Sequence, residues 1–408
     1  MYQELRYSQS SWSRGLKAPR SVAAVSNRPA QLPAKITLEN LDIQYLCNVT
    51  LTPRNATVSV AQNNPSEAAD SQRSVLTSKL PNAIQARHPH TTLADRALHR
   101  PIPISKILCR IGIIGVSGSF SLSIYSKRAR NHNLYVQVVL DGWPWTTYYR
   151  DIALADLRDI EGNNRENMTP GSIAAKTDYL ERVVQAVKNA GLATTIFSYE
   201  ISNEPCSWTN AKPFSVTTGI FKTAAGTYDM SSAASRQACA DDNLVLALST
   251  WRDAVKRIDP DTLVNVGLFS YAAVKKAGMA TNGLLPIGTK DVRWPGRMKN
   301  VVSVTDFGDL HMYVQSTGTT VAQHMESQEW SMIQNKNTKP FISGEFGAHR
   351  ISYPDDATAA AALYDWRQDM LDTGFAGALL FTWDTLNHSR WTAVEGNGAV
   401  NKALKPCG

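Results

Sequence analysis

The chain has 408 residues, of which 43% are apolar and 19% are charged, and this composition is typical of one large soluble globular domain or two ordinary ones. The net charge of +7 is uneven, because residues 1–133 hold 17 Lys and Arg against 6 Asp and Glu, whereas residues 134–408 hold 25 against 29. No basic helix with interleaved aromatic residues accompanies this charge, which argues against nucleic-acid binding.

The N-terminal hundred residues differ from the rest of the chain. Residues 1–100 are rich in Ser, Asn, Gln, Pro and Arg, with only a faint strand signal at 42–51. We predict a basic arm without regular structure there, followed by a folded domain over 101–408. The most apolar run, at 107–124, contains Arg110 and several Gly and Ser residues, which argues against a membrane span.

Strand-like and helix-like segments alternate from about residue 133 onward, and 106–116 and 121–133 are a candidate strand and helix before them. The strand segments are apolar along their length, as in parallel strands buried on both faces, which favours a (β/α)8 TIM barrel or a doubly wound sheet. In an eight-stranded barrel, the first one or two strands would be poorly defined by this sequence. No G-x-G-x-x-G motif or P-loop follows a strand, which weakens a nucleotide-binding interpretation. The predicted strands are 106–116, 134–142, 194–202, 262–269, 306–314, 339–347 and 377–385, and the predicted helices are 121–133, 177–191, 241–260, 320–335 and 357–373.

Polar and aromatic side chains cluster where the predicted strands end. A parallel barrel brings the C-terminal ends of its strands to one face, where barrel enzymes keep their active sites. Two carboxyl groups on that face suit hydrolysis of a glycosidic bond, since one donates a proton to the departing oxygen and the other attacks the sugar carbon or activates water. These residues are Asn203, Glu204, His311, Tyr313, Glu345 and Trp383.

Four motifs in this order resemble the cellulase-type enzymes of glycoside hydrolase family 5, which belong to a clan of retaining (β/α)8 barrels. They are YEISNEP, DLHMY, ISGEFG and LLFTWDT, and the resemblance covers about residues 130–406. It implies that Glu204 is the acid/base and Glu345 the nucleophile. It further implies that Asn203 binds the sugar 2-hydroxyl, Tyr313 holds the nucleophile, His311 lines the same wall and Trp383 forms the floor of the subsite for the scissile sugar.

Each of these residues also has a structural alternative. Glu204 precedes a proline and could cap a helix, and Glu345 could lie in a plain turn. His311, Tyr313 and Trp383 could belong to the barrel core instead. Glu200 has the strand parity of Glu204, and we interpret it as a structural hydrogen-bond partner inside the barrel.

Aromatic residues near the strand ends could stack on sugar rings. We predict that Trp143, Trp145 and Trp208 lie in the cleft, with packing anchors as the alternative. Cys206 and Cys239 lie near the ends of a long loop and could form a disulfide or remain free thiols. The five cysteines show no zinc-like spacing, so we expect no metal site.

Three departures from the family pattern leave a second hypothesis open, although the sequence favours the enzyme because both carboxyls and Tyr313 remain. Arg110 is only a weak match for the expected early-strand arginine, Asp141 and Trp143 stand where a histidine is frequent, and the first barrel strand is missing. A non-catalytic carbohydrate-binding barrel is therefore the alternative to a β-glucan- or β-mannan-type glycosidase. A Schiff-base enzyme is disfavoured because no lysine ends a predicted strand.

The resemblance also sets expectations about partners. We expect a carbohydrate substrate, no cofactor, no membrane or nucleic-acid partner, and a monomer. Localisation stays unknown, because an extracellular site suits the substrate class but no secretory signal is visible at the N-terminus.

Overall fold

The computed structural model describes residues 43–45, 107–113, 118–131, 134–144, 146–156, 158–276, 291–314, 318–333, 339–382 and 389–404. Within these ranges, no helix has the length and apolar character needed to cross a membrane. Most of the predicted basic arm lies outside the described residues, so its disorder stays a prediction.

The described part of the chain alternates strands and helices as the sequence predicted. The strands are β1 (Ile43–Tyr45), β2 (Ile107–Ile113), β3 (Leu134–Val139), β4 (Ile196–Asn203), β5 (Cys206–Trp208), β6 (Ile220–Lys222), β7 (Thr227–Asp229), β8 (Leu263–Phe269), β9 (Arg293–Pro295), β10 (Gly308–Val314), β11 (Phe341–Ala348) and β12 (Gly377–Leu380). The helices are α1 (Gly118–Asn131), α2 (Thr147–Leu154), α3 (Asn164–Met168), α4 (Pro170–Asn189), α5 (Ala233–Ile258), α6 (Met298–Val304), α7 (Val321–Ser327), α8 (Asp356–Asp372) and α9 (Glu395–Leu404).

The main sheet has the order β1-β2-β3-β4-β8-β10-β11-β12. Within this sheet, all neighbouring strands from β2 to β12 pair in parallel, whereas β1 pairs antiparallel with β2. The short strands β5 and β9, and β6 and β7, form two separate antiparallel pairs. All seven predicted strands are therefore confirmed as neighbours in one parallel sheet. The antiparallel β1 differs from the parallel first strand of a (β/α)8 barrel. The described residues therefore show seven neighbouring parallel strands, and a full (β/α)8 barrel stays a prediction.

Local sequence signals fix the ends of the long helices. In α4, Thr169 precedes Pro170 and its side chain accepts a hydrogen bond from the Ser172 N–H, so capping and a fixed proline φ both favour a helix start there. The hydroxyl of Ser232 caps α5 in the same way. The buried faces of these helices pack on the sheet, and Trp251 of α5 is fully buried between them.

Contacts across the sheet interior show that the sheet is curled. Gln137 on β3 donates hydrogen bonds to Glu200 on β4 (2.8 Å) and to Asp309 on β10 (3.3 Å). Strands three places apart in a flat sheet lie about 14 Å from each other. Two side chains bridge that distance only if the strands curve around a common interior, as in an α/β barrel.

The interior of the curled sheet is polar around Glu200 on β4 and Asp309 on β10. Asn265 on β8 also donates to Asp309, at 2.9 Å, and Glu200 and Asp309 are fully buried. The hydrogen bond from Gln137 confirms the prediction that Glu200 is a structural partner within the barrel. Buried hydrogen bonds of this kind favour one arrangement of the strands, because a polar group that loses its partner in the interior is costly.

Candidate active site

The end of β4 directs Glu204 toward the face formed by the C-terminal strand ends. The pairing of β4 with β8 shifts register between Glu200 and Asn203, so the strand does not keep a simple alternation up to Glu204. Glu204 itself adopts a left-handed backbone conformation, with φ of 52°, and its N–H donates to the Gly267 carbonyl at 2.8 Å. A bulge and one left-handed residue, rather than strand parity, therefore set the direction of this side chain.

His311 on β10 lies next to Glu204. Its Nδ1 is 3.0 Å from Oε1 of Glu204, and its ring is buried. The ring occupies space above Gly267 on β8, where a Cβ would lie 2.2 Å from Nε2 of His311. Only glycine at position 267 therefore allows the imidazole to reach the acid at the end of β4.

Glu345 on β11 completes the cluster. Its Oε2 lies 3.7 Å from Nδ1 of His311 and accepts a hydrogen bond from the hydroxyl of Tyr313. One carboxylate oxygen from each of Glu204 and Glu345 lies within 4.8 Å of the other and of the His311 ring nitrogen. The two carboxyl groups thus meet at one imidazole, Glu204 from the end of β4 and Glu345 from β11.

The two carboxyl groups differ in exposure. The side chain of Glu204 is 28% exposed and that of Glu345 is 8% exposed. Solvent can therefore reach Glu204, whereas Glu345 lies deeper, among protein groups. Burial raises the pKa of Tyr313 well above its ordinary value of 10, so its hydroxyl stays protonated and keeps donating to Glu345 at neutral pH.

Asp309 connects the cluster to the interior network. Its Oδ1 accepts a hydrogen bond from the Gly344 N–H at 2.6 Å and lies 3.8 Å from Nε2 of His311. A Cβ at position 344 would come within 2.3 Å of this carboxylate, so a glycine is needed just before Glu345. The Asp309 carboxylate thus holds the backbone next to Glu345 and also faces Nε2 of His311, the ring nitrogen on the interior side.

Two groups of side chains have the ligand types and spacing that a metal ion requires. One is Glu200, Asp309 and His311 inside the barrel, and the other is Glu204, His311 and Glu345 at its rim. Both share His311 and combine one imidazole with two carboxylates, a donor set that zinc accepts. Cysteine spacing gives no information about groups of this kind, which contain carboxylates and an imidazole, so the expectation of no metal site stays a prediction.

The structure describes two of the four tryptophans predicted for the cleft, Trp143 and Trp208. Trp143 and Trp208 are half-buried, and Trp143 packs against the core. The backbone of Trp208 is held by Asn164, whose side chain accepts from its N–H (2.8 Å) and donates to its carbonyl (2.9 Å). Trp145 and Trp383 lie outside the described residues, so their cleft roles stay predictions.

Other predicted residues have definite partners. The N–H of Asn203 donates to Asp141 at 3.2 Å, which ties the end of β4 to the loop that follows β3. Of the two alternatives left open for Cys206 and Cys239, a disulfide or free thiols, the structure shows free thiols. Arg110 lies in β2 in register with Gln137, and its side chain lies outside the description.

Two residues near the cluster had no sequence signal. Gly267 lies inside an otherwise apolar strand, where a glycine had no evident role until the position of His311 was known. Arg390 lies after β12, with its guanidinium carbon 4.0 Å from the ring centroid of Tyr313. Neither position follows from periodicity, because each depends on a contact between distant segments.

Comparison with known proteins finds similarity in structure only. No family model and no curated protein sequence matches the chain. The solved structures that resemble it include an endo-β-1,4-mannanase from Thermotoga petrophila, with 16% identity and a TM-score of 0.46 over 70% of this chain and 59% of that one. The chain thus spans less than two thirds of that mannanase.

Two further structures are similar to the same extent. The endo-1,4-β-mannanase from Rhizomucor miehei has 14% identity and a TM-score of 0.46, covering 69% of this chain and 74% of that one. The GH5_18 protein from Streptomyces cattleya in complex with GlcNAc has 13% identity and a TM-score of 0.46, covering 70% and 64%. Because these identities and scores are low, the chemistry of this chain has to be argued from its own side chains.

Proposed function

We propose that this chain is a retaining glycoside hydrolase of family 5 type, with Glu204 as acid/base and Glu345 as nucleophile. The observation that carries the proposal is the convergence of these two carboxyl groups to within 4.8 Å at their nearest oxygens. Retaining enzymes hold their carboxyl groups about 5–5.5 Å apart, whereas inverting enzymes need about 6.5–9.5 Å to admit a water molecule. The short separation supports double displacement.

The first step forms a covalent glycosyl–enzyme intermediate. A carboxylate oxygen of Glu345 attacks the anomeric carbon while the glycosidic oxygen leaves, taking the proton of Glu204 as its bond to the sugar breaks. The Tyr313 hydroxyl, which donates to Glu345, favours the ionised form of the nucleophile before the attack. Because Glu204 is the more exposed of the two carboxyls, it is the one that the departing sugar can contact.

The second step hydrolyses the intermediate. Glu204, now ionised, takes a proton from water, and the resulting hydroxide displaces Glu345 from the anomeric carbon with net retention of configuration. His311 contacts both carboxyls and keeps them in place through the two steps. The substrate class, a β-linked glucan- or mannan-type polysaccharide or oligosaccharide, rests on the resemblance of the four sequence motifs.

The enzyme hypothesis and the non-catalytic barrel give different results with aryl β-glycosides. We expect wild type to release the aryl alcohol from a β-mannoside, β-glucoside or β-cellobioside, and the sugar first formed should be the β-anomer by NMR. Glu345→Ala should lose at least about 1,000-fold in kcat/KM, because no covalent intermediate can form without the nucleophile. Glu204→Ala should lose at least about 1,000-fold in kcat, because an aryl alcohol can leave without its proton but water then lacks the base that the second step needs. Glu326→Ala, at an exposed glutamate of α7, is the matched control and should keep full activity.

Azide separates the two roles. In Glu204→Ala it should attack the glycosyl–enzyme intermediate and give a β-glycosyl azide, whereas in Glu345→Ala it should occupy the vacated space and give the α-azide. Equal background rates in wild type and both variants would contradict the enzyme hypothesis and favour the carbohydrate-binding barrel. An α-anomer as first product would contradict the retaining mechanism alone.

A further inference from the structure

The backbone of Glu204 is held against its local preference. Its φ of 52° is left-handed, which is unfavourable for a residue with a side chain. Glu204 also precedes Pro205, and a residue before proline favours an extended conformation. A left-handed glutamate at this place persists only where neighbouring groups hold it. The direction of the proposed acid therefore depends on the groups that hold the end of β4.

Two successive N–H groups at the end of β4 are held from different neighbours. The N–H of Glu204 donates to the Gly267 carbonyl on β8 at 2.8 Å. The N–H of Asn203, one residue earlier, donates to Oδ1 of Asp141 in the loop after β3, at 3.2 Å. The partner of Glu204 is a backbone carbonyl, whereas the partner of Asn203 is a side chain. A single substitution can therefore remove the second bond and leave the first.

The Asp141 side chain continues the connection between β3 and β4 beyond their paired residues. The register of the two strands ends with Val139 opposite Glu200, and the Leu140 N–H donates to the Glu200 carbonyl at 2.8 Å. Leu140 is fully buried, so the residue before Asp141 is fixed in place. Beyond this point β4 shifts its register against β8, and the Asn203 N–H is bonded to the Asp141 carboxylate.

A carboxylate suits this position for two reasons. A hydrogen bond to an ionised acceptor is roughly twice as strong as one between neutral groups. Asp141 is also exposed, so that replacing it leaves no cavity in the core. Variants at this position therefore test the hydrogen bond and not the packing of the barrel.

We propose that Asp141 is a positioning residue that holds the N–H of Asn203 and thereby keeps Glu204 turned toward His311. Its catalytic consequence rests on the proposed function, whereas its effect on the placement of Glu204 does not. Without this acceptor the end of β4 relaxes toward the extended conformation favoured before proline, and Glu204 loses its 3.0 Å contact with Nδ1 of His311. A displaced acid protonates the departing oxygen poorly, because proton transfer needs hydrogen-bond reach.

The test compares wild type with Asp141→Ala, Asp141→Leu, Asp141→Asn and Asp229→Ala. Alanine removes the acceptor, leucine removes it while keeping a similar side-chain shape, and asparagine keeps an acceptor oxygen without the charge. Asp229 at the end of β7 is the matched control, because its carboxylate also accepts a backbone N–H, that of Ser231, at 2.9 Å. Thermal unfolding of all five proteins identifies any loss of fold.

The first measurement needs no turnover and consists of crystal structures of wild type and the Asp141 variants. We expect Glu204 to leave the left-handed conformation in Asp141→Ala and Asp141→Leu, and its carboxyl to move from His311 by about 1 Å or more, a displacement that affects catalysis. Asp141→Asn should keep the wild-type placement. A Glu204 that stays in place in both the alanine and the leucine variant would overturn the inference.

The second measurement uses two aryl β-glycosides of the same sugar. Dinitrophenol leaves without a proton, whereas phenol needs one from the acid. We expect Asp141→Ala and Asp141→Leu to lose about 100-fold in kcat/KM on the phenyl glycoside and less than about threefold on the dinitrophenyl glycoside. Asp141→Asn should recover most of the loss, and Asp229→Ala should match wild type on both substrates.

The leaving-group dependence separates positioning of the acid from other roles of Asp141. A contact with the sugar, or a general effect on the fold, would lower kcat/KM on both glycosides equally, and that result would overturn the inference. Absence of hydrolysis by wild type would contradict the proposed function, while the crystal structures would still decide whether Asp141 sets the position of Glu204.

Discussion

Replacing Gly267 by alanine tests whether the position of His311 controls catalysis. The new Cβ would lie 2.2 Å from Nε2 of His311 and 2.8 Å from Oε1 of Glu200. An ordinary contact needs about 3.5–4 Å, so the imidazole must withdraw by more than about 1 Å. The carbonyl of residue 267 also accepts the N–H of Glu204, so the same change disturbs the acid.

The expected effect has two parts that different assays measure. Crowding a packed interior costs about 1–3 kcal/mol of unfolding free energy, which urea unfolding detects. Displacing a group in the catalytic cluster by about 1 Å costs on the order of 100-fold in kcat/KM. We therefore expect Gly267→Ala to remain folded, with a lower urea midpoint and about 1% of wild-type activity on an aryl β-glycoside.

Gly308→Ala provides the control for crowding without displacement of His311. A Cβ there would also meet a side chain at 2.2 Å, the ring of Phe341, but at the opposite end of β10 from Tyr313. This variant should lose comparable stability and keep kcat/KM within about threefold of wild type. If Gly267→Ala were as active as Gly308→Ala at a temperature where both are folded, the argument that His311 must reach Glu204 would be refuted.

Three further predictions concern single side chains. Tyr313→Phe should lose about 100-fold in kcat/KM, because the donor that holds the proposed nucleophile in place and favours its ionised form is removed, and a pH–rate profile should show its acidic limb moved up. Burial lowers the pKa of His324 to about 4, below the unfolded value of about 6.5. About 3 kcal/mol of unfolding free energy present above pH 6.5 should therefore be lost as the pH falls to 4. Urea unfolding at several pH values measures this loss, and an unfolding free energy that does not change with pH would contradict the prediction. Asn164→Ala removes the side-chain acceptor of the half-buried Trp208 N–H and one of the two donors to its carbonyl, which also accepts from the Ala211 N–H, and should cost about 1–3 kcal/mol. We expect KM to rise more than kcat falls, and an unchanged KM would argue against a sugar-binding role for Trp208.

The sequence was sufficient to predict which strands meet and which polar side chains share a face. Apolar segments separated by helices predicted parallel strands, and parallel strands bring their C-terminal ends together, so Glu204, His311, Tyr313 and Glu345 were expected on one rim. The structure brings these four side chains into contact. Their catalytic roles stay proposals until turnover is measured.

The details that aim the side chains could not be predicted from periodicity. Strand parity placed Glu204 inward, but the register shift in β4 and the left-handed φ of Glu204 set its direction instead. A bulge depends on pairing between β4 and β8, which lie some sixty residues apart in sequence, and one strand alone carries no sign of it. The contact of Arg390 with Tyr313 likewise depends on where the chain returns after β12.

The conformation of Glu204 bears on the choice between an enzyme and a non-catalytic barrel. A glutamate held at positive φ costs about 1 kcal/mol or more, and such strain persists only where the surrounding structure imposes it. Here the Gly267 carbonyl and the His311 ring impose it, and together they hold the acid opposite Glu345. A cleft that only binds sugar does not require two carboxyls held on one imidazole, because hydrogen bonds and stacking suffice for binding. The strained placement of Glu204 beside Glu345 is what the proposed double displacement needs, and it is our reason for preferring that proposal to the non-catalytic barrel.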